Sequence, residues 1–252
     1  MCYNLIGDDM TIKIKDVDIN YLEFGEGKDT LIFLHGWGQN VHMMEPLAKY
    51  FRREYKIFII DLPGHGESSE PTYAYKVDDF VNILRNFIKT KKIHHPILIG
   101  HSFGGKVSLL YASKYETKKL IMLACSFKKE IEKLSLKTKM LKFAKKIPGL
   151  NKFENFAKKH IGSTDYKNAS GIMREILVNS VNQDIREDAK KIETETLLIW
   201  GDKDEAVSIE SAHELENILP NAGLVVFPNC THYAYLENLG QTVAVIRSFL
   251  ES

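Results

Sequence analysis

Apolar and polar positions along the chain fall into two alternating patterns. Nearly unbroken runs rich in Ile, Leu and Phe stand at 30–34, 56–60, 96–100, 119–124, 195–200 and 224–227. Such runs are what a parallel strand covered on both faces requires. Two further extended segments, 11–14 and 18–24, flank Asp16 and Val17 and predict an antiparallel opening pair. Between the runs, apolar residues recur with helical spacing near 42–53, 77–90, 104–115, 208–219 and 237–250. Strands alternating with helices imply βαβ units with right-handed crossovers. The expected fold class is α/β: a mostly parallel central sheet of about eight strands flanked by helices.

The alternation breaks once, between 126 and 188, where short helical patterns replace strands. Leu136, Met140, Phe143, Ala144 and Ile147 share one helical face, with lysines over most of the rest. Pro148-Gly149 ends that helix. Some 60 residues without a strand is too long for a loop. The expectation is a core domain from 1–125 and 189–252, with 126–188 a helical cap insertion over the carboxyl edge of the sheet.

Composition narrows the class. The 34 basic and 33 acidic side chains nearly cancel, so overall charge points to neither nucleic acid nor membrane. No stretch approaches the ~20 apolar residues of a transmembrane helix. The opening MCYNLIGDDM lacks the basic start and apolar run of a signal peptide. Cys2, Cys125 and Cys230 have neither metal nor disulfide spacing. A cytoplasmic location is the expectation.

The chemistry centres on Gly100-His101-Ser102-Phe103-Gly104-Gly105, which follows an apolar run and opens a helical pattern. G-x-S-x-G between strand and helix is a nucleophile elbow. The turn is tight enough that the residues two before and two after the serine must be Gly100 and Gly104. Ser102 is lifted to a helix amino terminus, where the Phe103 N–H can meet a developing oxyanion. An ordinary Gly-Ser turn is the bland alternative, and the flanking strand and helix argue against it.

A serine hydroxyl needs a base, and the base needs a partner that fixes its tautomer. Nine histidines compete. His35 and Gly36 lie in Leu34-His35-Gly36-Trp37-Gly38, after a strand, in the manner of an oxyanion loop. There the Trp37 N–H would be the second donor and His35 a hydrogen-bonded structural residue. His42, His94, His95 and His213 fall on helices or turns, His160 in the insertion. His101 is expected to face away from the nucleophile, and His65, in Asp61-Leu62-Pro63-Gly64-His65-Gly66, to shape a turn. His232 remains, in the loop after the last strand. The acid should follow the strand before it, where Gly201-Asp202-Lys203-Asp204 offers two aspartates. Asp204 is better placed to reach His232, and Asp202 to brace the turn through local hydrogen bonds.

With Ser102, Asp204 and His232 in that chain order, the sequence resembles the α/β-hydrolase fold family, as a capped serine carboxylesterase-like member. The resemblance rests on Gly100 to Gly104, His35 to Gly38, Asp61 to Gly66, Gly201-x-x-Asp204 and His232. It implies an eight-stranded sheet, no metal, no dissociable cofactor and an acyl-enzyme route. Many relatives place a proline shortly after the acid, where this chain has Glu205-Ala206-Val207-Ser208. Dehalogenases and epoxide hydrolases of the fold carry aspartate at the elbow, so Ser102 favours a small acyl substrate, an ester or its kin. Carbon–carbon hydrolases and lactonases share the triad, and some members are ligand receptors with slow turnover. Residues 35–40 are similar to the oxyanion segment of carboxylesterases that demethylate carrier-bound pimelate. Residues 127–167 hold twelve lysines against four acids, leaving about −7 on the rest of the chain. That asymmetry is either a solvated helical face or a means of recruiting an anionic substrate or an acidic carrier protein.

Overall fold

The computed structural model describes residues 8–129 and 170–252. Eight strands form one sheet: β1 (Asp8–Ile14), β2 (Val17–Phe24), β3 (Thr30–Leu34), β4 (Lys56–Ile60), β5 (Ile97–His101), β6 (Lys119–Leu123), β7 (Thr196–Gly201) and β8 (Ala222–Phe227). Their order is β1-β2-β4-β3-β5-β6-β7-β8. The β1–β2 and β2–β4 pairs are antiparallel and every other pair is parallel. The α/β class and the eight-stranded, mostly parallel sheet follow the sequence expectation. The runs at 30–34 and 56–60 are strands β3 and β4 to the residue.

The runs of β3 to β7 are unbroken because the sheet is buried there on both faces, whereas the edge strand β8 is only partly covered, with Val226 exposed. Along β3, Ile32 and Leu34 point into one apolar layer, and Leu31 and Phe33 into the other. The first layer is closed by α2 (Val77–Thr90), α3 (Phe103–Ala112), α4 (Gly171–Asn182), α5 (Arg186–Ala189) and α6 (Ile209–Ile218). The second is closed by α1 (Val41–Ala48), α7 (Ala234–Glu237) and α8 (Leu239–Glu251). Burying side chains such as Phe33, Phe87 and Ile99 contributes roughly 1.5–3 kcal/mol each.

Three expected helices end early or break, while several other boundaries shift by a few residues. The helix expected at 42–53 ends at Ala48 and tightens into a 3₁₀ turn, Lys49–Phe51. The helix expected at 104–115 ends at Ala112. The helix expected at 237–250 is broken at Asn238 (φ −124°, ψ 51°), whose carbonyl accepts both the Thr242 N–H and its hydroxyl.

Residues 130–169, most of the expected cap, lie outside the described residues, as do Leu136, Met140, Phe143, Ala144 and Ile147. At the return end of that segment, Met173 and Ile176 of α4 are buried in the first apolar layer. The Lys106 ammonium, itself buried on α3, donates to the Ser180 and Gln183 carbonyls at 2.8 and 2.9 Å. It thereby satisfies acceptors that the end of α4 leaves exposed.

Candidate active site

Strand β5 ends at His101 and helix α3 starts at Phe103, so one residue makes the whole turn. That residue is Ser102, at φ 50° and ψ −111°. A non-glycine residue holds such a conformation only where its surroundings dictate it. Here the Ser102 N–H donates to the Leu123 carbonyl at 3.0 Å, and the Ser102 carbonyl accepts from Lys106 and Ser126. The glycines explain themselves by contact. A Cβ on Gly100 would stand 2.6 Å from the Gly104 carbonyl oxygen, and one on Gly104 would stand 2.4 Å from that of Leu34.

Asp204 and His232 meet across the ends of β7 and β8. His232 Nδ1 lies 2.8 Å from Asp204 Oδ2, so Nδ1–H donates to the carboxylate, and in the neutral ring Nε2 is the acceptor. Asp204 is buried, and its Oδ1 accepts the Ala206 and Val207 N–H groups at 2.8 and 2.9 Å. Those two bonds fix the carboxylate and leave Oδ2 for the imidazole. The His232 loop is held from below: Lys203 N–H donates to the Cys230 carbonyl, and Glu237 takes both the N–H and the hydroxyl of Thr231. Among the described residues the Ser102 hydroxyl makes no hydrogen bond, to His232 or any other group. Such contacts often tighten only when substrate is bound.

Asp202 behaves differently from expectation. Its Oδ1 is buried without a hydrogen-bond partner among the described residues, and Oδ2 lies 3.6 Å from Lys203 Nζ. The turn is held instead by the backbone, with Asp202 N–H donating to the Phe227 carbonyl. Among the described residues no turn amide donates to the side chain, contrary to expectation.

The loop after β3 carries the other polar groups. The Leu62 N–H donates to His35 Nε2 at 3.1 Å, so Nδ1 holds the proton and donates to the Gly36 carbonyl at 2.7 Å. With Nε2 accepting, the 3.7 Å approach of Asp61 to His35 is no ion pair. Burial holds the His35 pKa down to about 4, so this ring is neutral. His65 is neutral for the same reason, also at about 4. Its Nδ1 donates to the Pro63 carbonyl, and Nε2 is buried without a partner among the described residues. The Trp37 ring stands edge-on to His65 and to Phe103, centroids 4.7 and 5.4 Å apart. Neither the Trp37 nor the Phe103 N–H donates to a protein group among the described residues.

Sequence reasoning set His101 aside, and the structure brings it back. Its ring lies 4.8 Å from the His232 ring and within 5.4 Å of those of Tyr233 and Tyr235. The only signal available was its place beside Ser102, which says nothing of the base loop, 131 residues away in sequence. Gln39 and Glu237 were missed likewise, because their partners are assembled by the fold. Among the described residues no cluster of His, Cys, Asp and Glu could hold a metal ion, and no helix is long and apolar enough to cross a membrane.

Comparison with known proteins agrees with this architecture. A family model described as the alpha/beta hydrolase fold matches residues 29–152. The chain is 28% identical to Lipase 1 of Psychrobacter immobilis, over 89% of this chain and 78% of that one. It is 24% identical to the pimeloyl-[acyl-carrier protein] methyl ester esterase of Aliivibrio fischeri, over 90% and 95% of the two chains. The crystal structure of a bacterial membrane phospholipase A superposes with a TM-score of 0.79 at 23% identity, covering 98% of this chain and 86% of that one. That last likeness speaks to the fold alone.

Proposed function

The chain belongs to the α/β-hydrolase fold family, and from that premise we propose that it is a serine hydrolase cleaving a carboxylic ester or related acyl bond. The observation that carries the proposal is the pair of Asp204 and His232 at 2.8 Å, alongside a serine held at φ 50° in the turn between β5 and α3. The esterase and lipase among its relatives support ester chemistry in particular.

In this reading His232 Nε2 accepts the Ser102 proton as Oγ attacks the acyl carbon. The tetrahedral oxyanion takes hydrogen bonds from the Trp37 and Phe103 N–H groups, which have no other acceptor among the described residues. Collapse expels the alcohol, which receives the proton from His232, and leaves an acyl-serine. Water then attacks the acyl-serine with His232 again as base, releasing the acid and restoring the hydroxyl. Asp204 holds the imidazole in the productive tautomer. His35, Gly36, Gly100 and Gly104 shape the two loops without touching the reacting atoms. The reaction draws on these residues and needs no cofactor.

The substrate is a small acyl compound, and the lysine-rich segment 127–167 suits an anionic one or an acidic carrier protein. The site takes neither nucleic acid nor a membrane span as partner, and its setting is the cytoplasm. Turnover of p-nitrophenyl esters from acetate to palmitate tests the proposal. The parent is expected to hydrolyse part of that series and to be labelled by fluorophosphonate at Ser102 alone. Ser102→Ala should lose about 10⁴–10⁶ in turnover. Labelling elsewhere, or an alanine variant within about tenfold of the parent, overturns it.

A further inference from the structure

We infer that His101 is a positioning residue for His232, tying the serine turn to the base loop through one buried hydrogen bond. The inference rests on reading His232 as the base, and names a residue that sets its place.

His101 is fully buried at the last position of β5. Its Nε2 lies 3.1 Å from the His232 carbonyl oxygen, which can only accept, so Nε2–H donates. Burial, with the His232 ring beside it, holds the His101 pKa down to about 3. The ring is therefore neutral, and its one proton is committed to that carbonyl. It does not carry protons for the reaction; it grips the backbone of the residue that does.

On the other side, Gln39 Oε1 accepts the Gly36 N–H at 3.0 Å and packs 3.3 Å from the unprotonated His101 Nδ1, a contact between two acceptors and not a hydrogen bond. Gln39 Nε2 reaches the Tyr233 hydroxyl at 3.4 Å, returning to the base loop. Gly36 packs directly on this ring, for a Cβ there would stand 2.9 Å from His101 Nδ1. Tyr233 and Tyr235 close the cage, their ring centroids 5.4 and 5.0 Å from that of His101. A residue adjacent to Ser102 thus fixes how far His232 stands from it, and how the Trp37 loop sits relative to both.

The test uses the full chain and two variants, His101→Ala and His101→Gln. A glutamine amide can carry an N–H to about the place of the imidazole Nε2–H. On a neutral p-nitrophenyl ester, His101→Ala should lower kcat about ten- to hundredfold while KM stays within about threefold, as expected for misplacement of a reacting group. His101→Gln should recover most of that loss. A loss that follows the thermal midpoint and is not recovered by glutamine assigns His101 to packing and overturns the inference. So does kcat within twofold of the parent in His101→Ala.

One readout stands apart from turnover. The His232 Nδ1–H proton, shared with Asp204, should give a downfield resonance in the parent, weaken in His101→Ala and return in His101→Gln. If the parent cleaves no ester, the hydrolase reading fails, and this resonance still decides whether His101 holds the ring. An unchanged resonance in His101→Ala overturns the inference.

Discussion

Ser102 stands at φ 50° and ψ −111°, a conformation costing about 1–3 kcal/mol that the bonds to Leu123, Lys106 and Ser126 hold in place. What each side chain near it does depends on where its hydrogen bonds go. Asp204 has both oxygens occupied, one by amides and one by His232, whereas Asp202 has a buried oxygen with no partner among the described residues. Asp204→Asn should therefore cost far more turnover than Asp202→Asn. A loss near 10⁴ for the equivalent change is the measured value in another triad enzyme. Steady-state kinetics that rank the two variants the other way would reassign the acid. The buried histidines make a second prediction. Unfolded, His35, His65 and His101 take up protons below about 6.5. Folded, they do so only near 4, 4 and 3, because burial disfavours the charged ring. Between those values the unfolded chain holds more protons, so stability present at neutral pH is lost as pH falls from about 6.5. The urea midpoint should drop steadily from pH 7 to pH 5, and a flat profile there would contradict three neutral buried rings.

At the scale of elements, the site is a consequence of how β5 runs into α3. The helix begins at once after the strand, so Gly104 lies against the carbonyls of Leu34 and His35 at the end of β3. A methyl at Gly104 would meet backbone oxygens at 2.4 and 2.5 Å, and backbone cannot step aside as a flexible side chain can. Gly104→Ala should cost about 2–4 kcal/mol, the range of severe overpacking. Gly240→Ala, on α8 with nothing within 4 Å of the added methyl, should be neutral or stabilising by up to about 1 kcal/mol. Denaturation of the two variants beside the parent separates them. A small loss at Gly104 would show that α3 can slide on the sheet.

Over the whole molecule the main asymmetry of charge lies along the sequence: residues 127–167 carry a net +8 while the full chain carries +1. If those lysines draw an anionic substrate to the site, their influence must be long-ranged and screened, with a Debye length of ~8 Å at 0.15 M salt. Charge reversal at Lys137, Lys139, Lys142 and Lys146, which lie outside the described residues, should lower kcat/KM for carrier-bound or acidic acyl substrates. A neutral p-nitrophenyl ester should hardly respond, and the contrast should shrink as salt rises. Equal effects on both substrates, or none, would make these lysines a solvated face.

The α/β class, the strands at 30–34 and 56–60, and the helix at 77–90 were legible because periodicity is a local property of the chain. A strand buried on both faces must be apolar at every position, and a helix on a sheet must be apolar on one side. Gly100, Ser102 and Gly104 were legible for the same kind of reason, since a one-residue turn between strand and helix constrains its immediate neighbours. The pairing of Asp204 with His232 could be expected, whereas the turn-bracing bonds expected of the Asp202 side chain are not formed among the described residues, because two nearby aspartates do not record where their partners lie. His101, Gln39 and Glu237 were not legible at all. The partners of His101 and Gln39 are distant in sequence, and no local pattern records a contact that exists only once the sheet has been assembled; Glu237 meets Thr231, six residues away, through a loop that no motif marks. Sequence determined which groups could do the chemistry; the tertiary structure decided which of them hold one another in place.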